Sequence, residues 1–475
     1  MCTDLPIDFR KDGYIDMKLQ ETSTVALARF AHDLVYEDIP EHVRQKARYL
    51  LLDYIGGMIP GNKEEMARIL DSYISKVSGP AEARLIGTGK KAGAIWAALY
   101  NGAVGHLIDM DDIHWPSVTH CGVNIWSSAL AMAEKMHSTG EETLVAAVAG
   151  FEVALRIGIA IEPDHYVRGF NPSGTIMTFG AATVAAKLLK LDVEKTTHAL
   201  GMAAVMVAGN KAHLTERSMT KDYNSGFSSK SGIEAALLAQ EGFTASTDEL
   251  ENPCGFLHIY GGKTYPDELT KGFREKWHIL DIGQKLYPAC RCMHSSVEAI
   301  LDMRDQIDPE QVVSITTKIF ATGAYIVDDK VPWTHGIMGA RFSAQFNMAV
   351  ALVYGIDGMW DQYNATKAMS YMDVPLIRDL VGKTSIVYEK EWDGDTGKYE
   401  WCETEVTLTN GQKFYRRLEY ARGGPQNPIP WDMQEKRFQM LLSQVGWRED
   451  QMYPVLKVAT NLDRLKDIEE LMQYL

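Results

Sequence analysis

Cysteine and positive charge are both scarce in this sequence. Six cysteines occur among 475 residues, and their scatter offers no disulfide framework for a chain of this length. The two that lie close together, Cys290 and Cys292, do not have a zinc-binding spacing. Lysine and arginine number 48 against 63 aspartates and glutamates, which gives a net charge of −15. This balance argues against a nucleic-acid partner, because sequence-independent binding needs a basic surface.

Uninterrupted apolar segments are missing too. The N-terminal stretch MCTDLPIDFRKDGYIDMK contains no apolar signal core. The two most apolar windows, residues 143–161 and 175–189, are interrupted by Glu152, Arg156 and Lys187, so neither makes a credible membrane span. We therefore expect a cytoplasmic protein without a membrane partner.

Several common catalytic motifs do not occur. The chain has neither the His-Glu-x-x-His of zinc peptidases nor the Gly-x-Ser-x-Gly of serine hydrolases. The segment Gly87-Thr-Gly89-Lys-Lys-Ala-Gly93 superficially resembles a dinucleotide-binding fingerprint. Its last glycine comes one residue late, and no βαβ unit surrounds it. The sequence therefore predicts no nucleotide cofactor.

Helical periodicity, in contrast, is abundant from about residue 22 to residue 265. The segments 22–36, 41–55 and 231–240 each repeat apolar residues near a 3.6-residue spacing, and Gly56-Gly57 predicts the end of the second helix. The segments 141–161 and 175–191 are apolar around most of their circumference, which is typical of helices buried inside a bundle.

The pattern becomes mixed after Pro266. Strands are predicted at 279–287, 312–322 and 384–390, with a hairpin at 403–408 and 413–419 that turns at Asn410-Gly411. Helices are predicted at 293–305, 339–355, 364–372, 432–445 and 462–475. We predict a mainly α protein: a large all-helical domain over residues 1–265, a smaller inserted α+β lid domain over 266–424, and C-terminal helices over 425–475 that return to the helical domain.

Ionisable residues are most concentrated between Asn101 and Gly122. This short segment holds three aspartates and three histidines among apolar and glycine residues; they are Asp109, Asp111, Asp112, His106, His114 and His120. Three hypotheses fit it. Asp-x-Asp-Asp-x-His offers hard oxygen and imidazole ligands for a metal. Close carboxylates and imidazoles also suit acid–base chemistry. A solvated acidic loop is the third alternative.

Other segments place polar residues where folding alone does not require them. Asn171 and Ser173 precede a buried helix, whose first backbone amides could bind an anion or be capped by the serine. Lys221, in a segment that also contains Asn224, is either a surface residue or a carboxylate-binding one. Lys285 and Arg291 stand at the start of a helix, an arrangement that favours anions. Tyr325 follows a strand and is either catalytic or a buried aromatic residue.

Taken together and in order, these segments resemble the MmgE/PrpD family. The resemblance covers nearly the whole chain: it includes the helix ending at Asp53 to Gly56, Asn101-Gly102, the cluster from Asp109 to His120, Phe179-Gly180, Lys230-Ser-Gly232 and Lys285-Leu-Tyr-Pro-Ala-Cys290. It implies a helical domain with an α+β lid, an active site between the two, a homodimer, and chemistry without a metal. Members of the family include 2-methylcitrate dehydratase, cis-aconitate decarboxylase and iminodisuccinate epimerase.

The resemblance assigns roles to individual residues. Asp109 corresponds to the first aspartate of the family's site motif, His120 to its principal histidine, Lys221 and Lys285 to lysines of the site, and Tyr325 to a tyrosine. Four positions depart from the family pattern: Asn171, Asn224 and Cys290 replace common histidines, and Ile113 replaces a threonine. The implied site still binds a small anionic polycarboxylate, although it moves protons with different groups.

The resemblance leads to a hypothesis of proton transfer beside a carboxylate. Lys221 and Lys285 would neutralise substrate carboxylates, while His120, oriented by Asp109, would act as base or acid. Elimination of water, as in 2-methylcitrate dehydratase, needs a second proton donor, for which Tyr325 and His114 are candidates, and Asn171, Ser173, Asn224 and Arg291 would bind substrate. Decarboxylation, epimerisation and non-catalytic ligand binding remain as alternatives.

Overall fold

The computed structural model describes residues 21–216 and 218–475. The N-terminal residues for which no signal core is predicted lie outside this part of the chain. The first half is helical, apart from one small hairpin whose strands are β1 (Ala83–Leu85) and β2 (Lys90–Ala92). Its helices are α1 (Ser23–Asp33), α2 (Glu41–Gly61), α3 (Glu65–Val77), α4 (Ala94–His106), α5 (Gly122–Met136), α6 (Gly140–Ile161), α7 (Asp164–Val167), α8 (Pro172–Leu188), α9 (Val193–Met206), α10 (His213–Glu216), α11 (Thr220–Gln240) and α12 (Phe256–Tyr260).

Local sequence explains why the central helices begin where they do. Thr139 caps α6 in a reciprocal arrangement with Glu142, and Asn171 caps α8 immediately before a proline at its first position. Both helices are buried along nearly their whole length, as their all-round apolar composition predicts. Helix α6 is long and apolar enough to cross a membrane, but 94% of its most apolar window is buried inside this protein. It is therefore a core helix of the bundle.

The predicted end of the second helix, at Gly56-Gly57, is wrong. Helix α2 does not stop at Gly56-Gly57 but continues to Gly61. A Cβ atom at Gly61 would collide with the backbone oxygen of Val104, and one at Gly57 would lie 3.5 Å from the oxygen of Gly105. These glycines therefore allow α2 and α4 to pack closely, and they do not mark a turn.

The second half adds one sheet and a set of shorter helices. The helices are α13 (His294–Met303), α14 (Ala321–Val327), α15 (Gly336–Phe342), α16 (Ala344–Asp361), α17 (Ala365–Tyr371) and α18 (Pro375–Lys383). The strands are β3 (Val312–Phe320), β4 (Thr384–Glu389), β5 (Cys402–Leu408) and β6 (Lys413–Leu418), in the order β4-β3-β5-β6. β3 and β4 are parallel, whereas the other pairs are antiparallel. The predicted hairpin turn is present, with Gly411 at φ 82°.

The predicted strand at 279–287 is wrong. Residues His278–Asp281 form a 3-10 turn, and the segment pairs with another only through an isolated bridge between Ile113 and Gly283. Ile279 and Ile282 are fully buried in the helical core. Their hydrophobic run therefore reflects tertiary packing rather than a sheet.

Three helices close the chain: α19 (Trp431–Ser443), α20 (Glu449–Ala459) and α21 (Glu469–Met472). The single helix predicted over 462–475 is only partly present, as a 3-10 turn followed by α21, and α20 was not predicted. Buried side chains of all three helices join those of the long helices of the first half, from α1 to α11, in one hydrophobic core.

A second core groups buried side chains from Leu286 to Ile429. The fold is thus mainly α with a smaller α/β part, while the residue limits of the three predicted stretches stay a prediction. Val118, from the segment between α4 and α5, packs into the second core. That segment therefore lies where the two cores meet.

Candidate active site

The acidic and histidine-rich segment connects α4 to α5 in a buried loop. Asp109 has a left-handed backbone conformation, with φ 55°, and its side chain is buried. Asp112 ends the loop by accepting hydrogen bonds from the backbone amides of Cys121 (3.1 Å) and Gly122 (2.8 Å) at the start of α5. A Cβ at Gly122 would collide with this carboxylate. Burial, together with Asp53, raises the pKa of Asp112 to about 7.

Asp109 joins two lysines from distant parts of the chain. Its Oδ1 lies 2.9 Å from Nζ of Lys221, on α11, and 3.2 Å from Nζ of Lys285. Lys285, which is fully buried, also donates to the backbone oxygen of Asp109 at 3.0 Å. Burial opposes ionisation of Asp109, but the two ammonium groups outweigh it and lower its pKa below the ordinary range. Asp109 is therefore a carboxylate at neutral pH.

Asp111, not Asp109, orients the predicted catalytic histidine. Its Oδ2 lies 3.0 Å from Nδ1 of His120, and the backbone oxygen of Asp112 lies 2.8 Å from the same nitrogen. Two acceptors around Nδ1 assign the proton to that nitrogen, so Nε2 carries the lone pair. Burial, only partly offset by Asp111, lowers the pKa of His120 to about 4. The imidazole is thus neutral at pH 7, as a general base must be.

His106 belongs to the same network, although the sequence analysis gave it no role. Its Nδ1 lies 2.7 Å from Oδ2 of Asp111, and its Nε2 lies 2.9 Å from Nζ of Lys221. Lys221 therefore donates to both His106 and Asp109, and His106 donates to Asp111. Burial lowers the pKa of Lys221, but Asp109 and Asp222 raise it further, so that the net direction is upward. The spacing of His106 three residues before Asp109, at the end of a helix, was the available signal.

These groups surround one cavity between the two cores. The lining comes from both halves of the chain and contains both lysines, Asp109 and two histidines of this network, but none of its other aspartates. The lining residues are His106, Asp109, Ile113, Trp115, Val118, His120, Tyr166, Asn171, Pro172, Ser173, Lys211, His213, Leu214, Lys221, Lys285, Cys290, Arg291, Cys292, Ile326 and Phe342. A larger cavity of about 370 Å³ lies among α1, α6 and α8. Its lining combines aliphatic residues with surface charges and offers no comparable cluster, so chemistry favours the smaller cavity.

Three predicted substrate-binding residues line this cavity but already have protein partners. Asn171 caps α8, accepting from the amide of Gly174 at 3.3 Å. Ser173 accepts from the backbone amide of His120 at 2.9 Å and so fixes the position of that residue. The guanidinium of Arg291 is bound by Glu400 (2.8 Å from Nε) and by backbone oxygens. Their contribution is therefore mainly to the shape of the site.

Three other predicted site residues lie elsewhere. Tyr325 is 70% exposed on α14 and does not line the cavity, so it is neither the buried aromatic residue nor placed as a proton donor. His114 is fully buried behind the site, with Nδ1 2.7 Å from the hydroxyl of Ser117. Asn224 lies against Gly174 and Gly209, outside the lining. The path of the backbone after β3 decides where Tyr325 lies, and the turn at residues 113–119 decides where His114 lies. Sequence spacing reports neither.

Two further basic residues of the lining were not anticipated. Lys211 and His213 belong to the connection between α9 and α11, where the chain reads Val207-Ala-Gly-Asn-Lys-Ala-His. Burial lowers the pKa of His213 to about 4. Two ionisable residues in a short apolar connection were the signal that could have identified them.

The described part of the chain contains two clusters of potential metal ligands. Two groups bring three potential ligand atoms within 4.8 Å of one another: His106, Asp111 and His120 in the cavity, and His114, His278 and Asp281 behind it. In the first group the separations of 2.7 and 3.0 Å match hydrogen bonds. Two ammonium groups nearby also oppose a divalent cation. Acid–base chemistry fits this group better than a metal does.

Two protein-family models together match most of the chain. Models of the MmgE/PrpD N-terminal and C-terminal domains match residues 25–268 and 287–459. The chain therefore belongs to the MmgE/PrpD family, which confirms the resemblance seen in the sequence.

Individual relatives align with this chain over nearly its full length. The chain is 25% identical to cis-aconitate decarboxylase of Aspergillus terreus, over 97% of each chain. It is 27% identical to the cis-aconitate decarboxylase-like protein oryM of Aspergillus oryzae (94% of this chain, 96% of the relative). It is 26% identical to human cis-aconitate decarboxylase (94% and 92%).

Proposed function

We propose that this protein is a lyase that acts on a small polycarboxylate. One observation carries the proposal: two buried lysines share a single aspartate in a cavity that also holds a neutral, carboxylate-bound histidine. The names of the relatives, which are cis-aconitate decarboxylases, support the same substrate class.

Lys221 and Lys285 give the site its affinity for carboxylates. Both ammonium groups contact the same oxygen of Asp109, so their donors face a common point beside the cavity. Negative charge that develops next to a substrate carboxylate would be stabilised there by fixed positive charges in a partly dry site. This lowers the free energy of an enolate-like intermediate relative to water.

His120 supplies the base for reactions that begin with loss of a proton. Its Nδ1 is held by Asp111 and by the oxygen of Asp112, which leaves the lone pair of Nε2 for a substrate C–H. A positioned base of this kind contributes ~10²–10⁴-fold to the rate. Elimination of water from a hydroxy-polycarboxylate uses this base together with an acid at the leaving hydroxyl.

Decarboxylation is the finer assignment that the relatives favour. When a carbon–carboxylate bond breaks, the electron pair stays on the remaining carbon skeleton and is quenched by a proton. The site then needs bound carboxylates and an acid, and the lysines provide the first. Epimerisation would use proton removal and return without a leaving group.

A single experiment separates these reactions. The purified protein is incubated in deuterated water with cis-aconitate and with a panel of hydroxy- and amino-polycarboxylates, while CO₂ release and proton NMR spectra are followed. CO₂ release identifies a decarboxylase, loss of water without CO₂ a dehydratase, and deuterium exchange alone an epimerase. Binding without any of these changes would refute the proposed lyase. The predicted homodimer and cytoplasmic location stay predictions.

A further inference from the structure

The proposed lyase lacks an identified proton donor. His120 is neutral and suited to accept a proton, while both protonation of a decarboxylated skeleton and departure of a hydroxyl require an acid. The two donors suggested by the sequence do not line the cavity: Tyr325 lies on the surface and His114 lies behind the site. The acid must therefore come from the residues that do line it.

Most ionisable groups of the lining are unsuitable. Lys221 and Lys285 are held by Asp109, and Arg291 is held by Glu400. Burial raises the pKa of Tyr166 well above its ordinary value, so its hydroxyl is a weak acid. His213, whose pKa is lowered by burial, carries almost no proton to donate at pH 7.

Lys211 differs from these groups in both position and partners. Its backbone amide donates to the oxygen of Gly169 at 3.0 Å, beside a bridge between Phe170 and Asn210, so the residue is held against the loop before α8. Its Nζ lies 3.5 Å from the centre of the Tyr166 ring, on the cavity wall. Burial, opposed only in part by Glu162, lowers its pKa to about 8. An ammonium of this kind is charged at neutral pH but releases its proton readily.

Glu162 is the acidic side chain whose charge acts on Lys211. It is buried at the end of α6, with Oε2 2.9 Å from the amide of Tyr166, and its Oε1 has no hydrogen-bond partner among the described residues. Burial raises its pKa to about 8, so the carboxyl is largely protonated at pH 7. His165 and His213 are the other titratable side chains whose pKa values Lys211 influences, and both are lowered to about 4.

We propose that Lys211 is the general acid of this site. The inference rests on the proposed lyase function. In decarboxylation, the carbon–carboxylate bond breaks, CO₂ leaves, and the remaining electron pair takes a proton from the Lys211 ammonium. In water elimination, His120 removes the carbon proton while Lys211 gives its proton to the departing hydroxyl. In either case the neutral amine then takes up a proton from solvent.

The kinetic test compares two substitutions with a matched control. Lys211→Met removes charge and proton, Lys211→Arg keeps the charge on a group that does not donate at neutral pH, and Lys263→Met removes a lysine that also lies over a tyrosine ring, that of Tyr265, outside the cavity. On the panel compound that the wild-type protein transforms, we expect kcat to fall ~10²–10⁴-fold in both Lys211 variants, with KM within about threefold of wild type in Lys211→Arg. Lys263→Met should match wild type.

Other outcomes would overturn the assignment. If Lys211→Arg keeps the kcat of wild type while Lys211→Met loses it, Lys211 binds a carboxylate and donates no proton. The same conclusion follows if both variants change only KM. If wild type shows a decline in kcat with a pKa near 8 that persists unchanged in Lys211→Arg, another acid is responsible. A wild-type protein that transforms none of the panel refutes the proposed function itself, which distinguishes the two failures.

A second measurement does not depend on turnover. The rate at which an amine-acylating reagent modifies Lys211 is measured by peptide mass spectrometry from pH 6 to pH 11. This rate should reach half of its maximum near pH 8, below the ~10.4 that is typical of a lysine side chain in water. A midpoint at that ordinary value would overturn the assignment of Lys211 as an acid.

Discussion

Asp109 neutralises two buried lysines, so its removal tests the electrostatic design of the site. In Asp109→Asn the side chain keeps its size, while Lys221 and Lys285 lose the carboxylate that lies 2.9 and 3.2 Å from them. Breaking a buried ion pair from one side costs ~3–5 kcal/mol, because the remaining charge stays away from water. We expect the free energy of unfolding at pH 7, from urea denaturation followed by circular dichroism, to fall by that amount.

The direction in which the pKa of Asp109 is shifted determines how the stability difference between Asp109→Asn and wild type depends on pH. The pKa of Asp109 is lower in the folded protein than in the unfolded chain, so its stabilisation is complete above the unfolded pKa of about 3.9 and is lost as pH falls through the folded value. The difference between variant and wild type should therefore be constant from pH 8 to pH 5 and shrink below about pH 4.

An exposed ion pair provides the control. Asp71 contacts Lys90 at 2.7 Å, closer than Asp109 contacts Lys221, but on the surface. Asp71→Asn should cost less than ~1 kcal/mol. An Asp109→Asn protein that loses no more stability than this control would refute the reasoning, since the two lysines would then have another source of neutralisation.

Three further predictions concern the same loop. His120→Asn should lower the rate of water elimination or deuterium exchange ~10²–10⁴-fold without changing thermal stability, and an intact rate would remove His120 as the base. Gly122→Ala should displace Asp112 from the start of α5 and lower the melting temperature, whereas Gly79→Ala, where a Cβ meets nothing within 4 Å, should not. Because burial raises the pKa of Asp112 to about 7, its ionisation destabilises the fold as pH rises from about 4 to 7; Asp112→Asn should flatten the fall of unfolding free energy over that range, and an unchanged slope would contradict this.

Apolar periodicity and turn residues predicted most helices and strands, because these elements form in response to local sequence. The helices α1, α6 and α8 and the strands β3 to β6 all lie within a few residues of their predicted positions. Periodicity and turn residues report the burial of one face, which is what forms such elements. The strand predicted at 279–287 failed because Ile279 and Ile282 are buried by helices rather than by a neighbouring strand.

The sequence predicted which residues lie at the site better than it predicted which of them contact one another. Asp109, His120, Lys221 and Lys285 do line one cavity, as the family resemblance implies. His120 pairs with Asp111 instead of Asp109, and the loop that carries both carboxylates has a left-handed conformation at Asp109. Such a conformation is rare outside glycine and leaves no periodic trace in the sequence.

The lysines and Asp109 also suggest how an acidic protein attracts an anionic substrate. The chain carries a net charge of −15, which repels polycarboxylates at long range, although ions in solution screen that repulsion beyond about 8–10 Å. Within the cavity, two ammonium groups face one Asp109 oxygen, and Asp222 also lies 3.6 Å from Lys221. A substrate carboxylate that reaches the lysines would interact with them at short range, next to carboxylates that already hold them in place. On this argument, affinity should change little between 50 and 200 mM salt, because the decisive contacts lie inside the screening distance; a strong salt dependence of KM would show that surface charge controls binding instead.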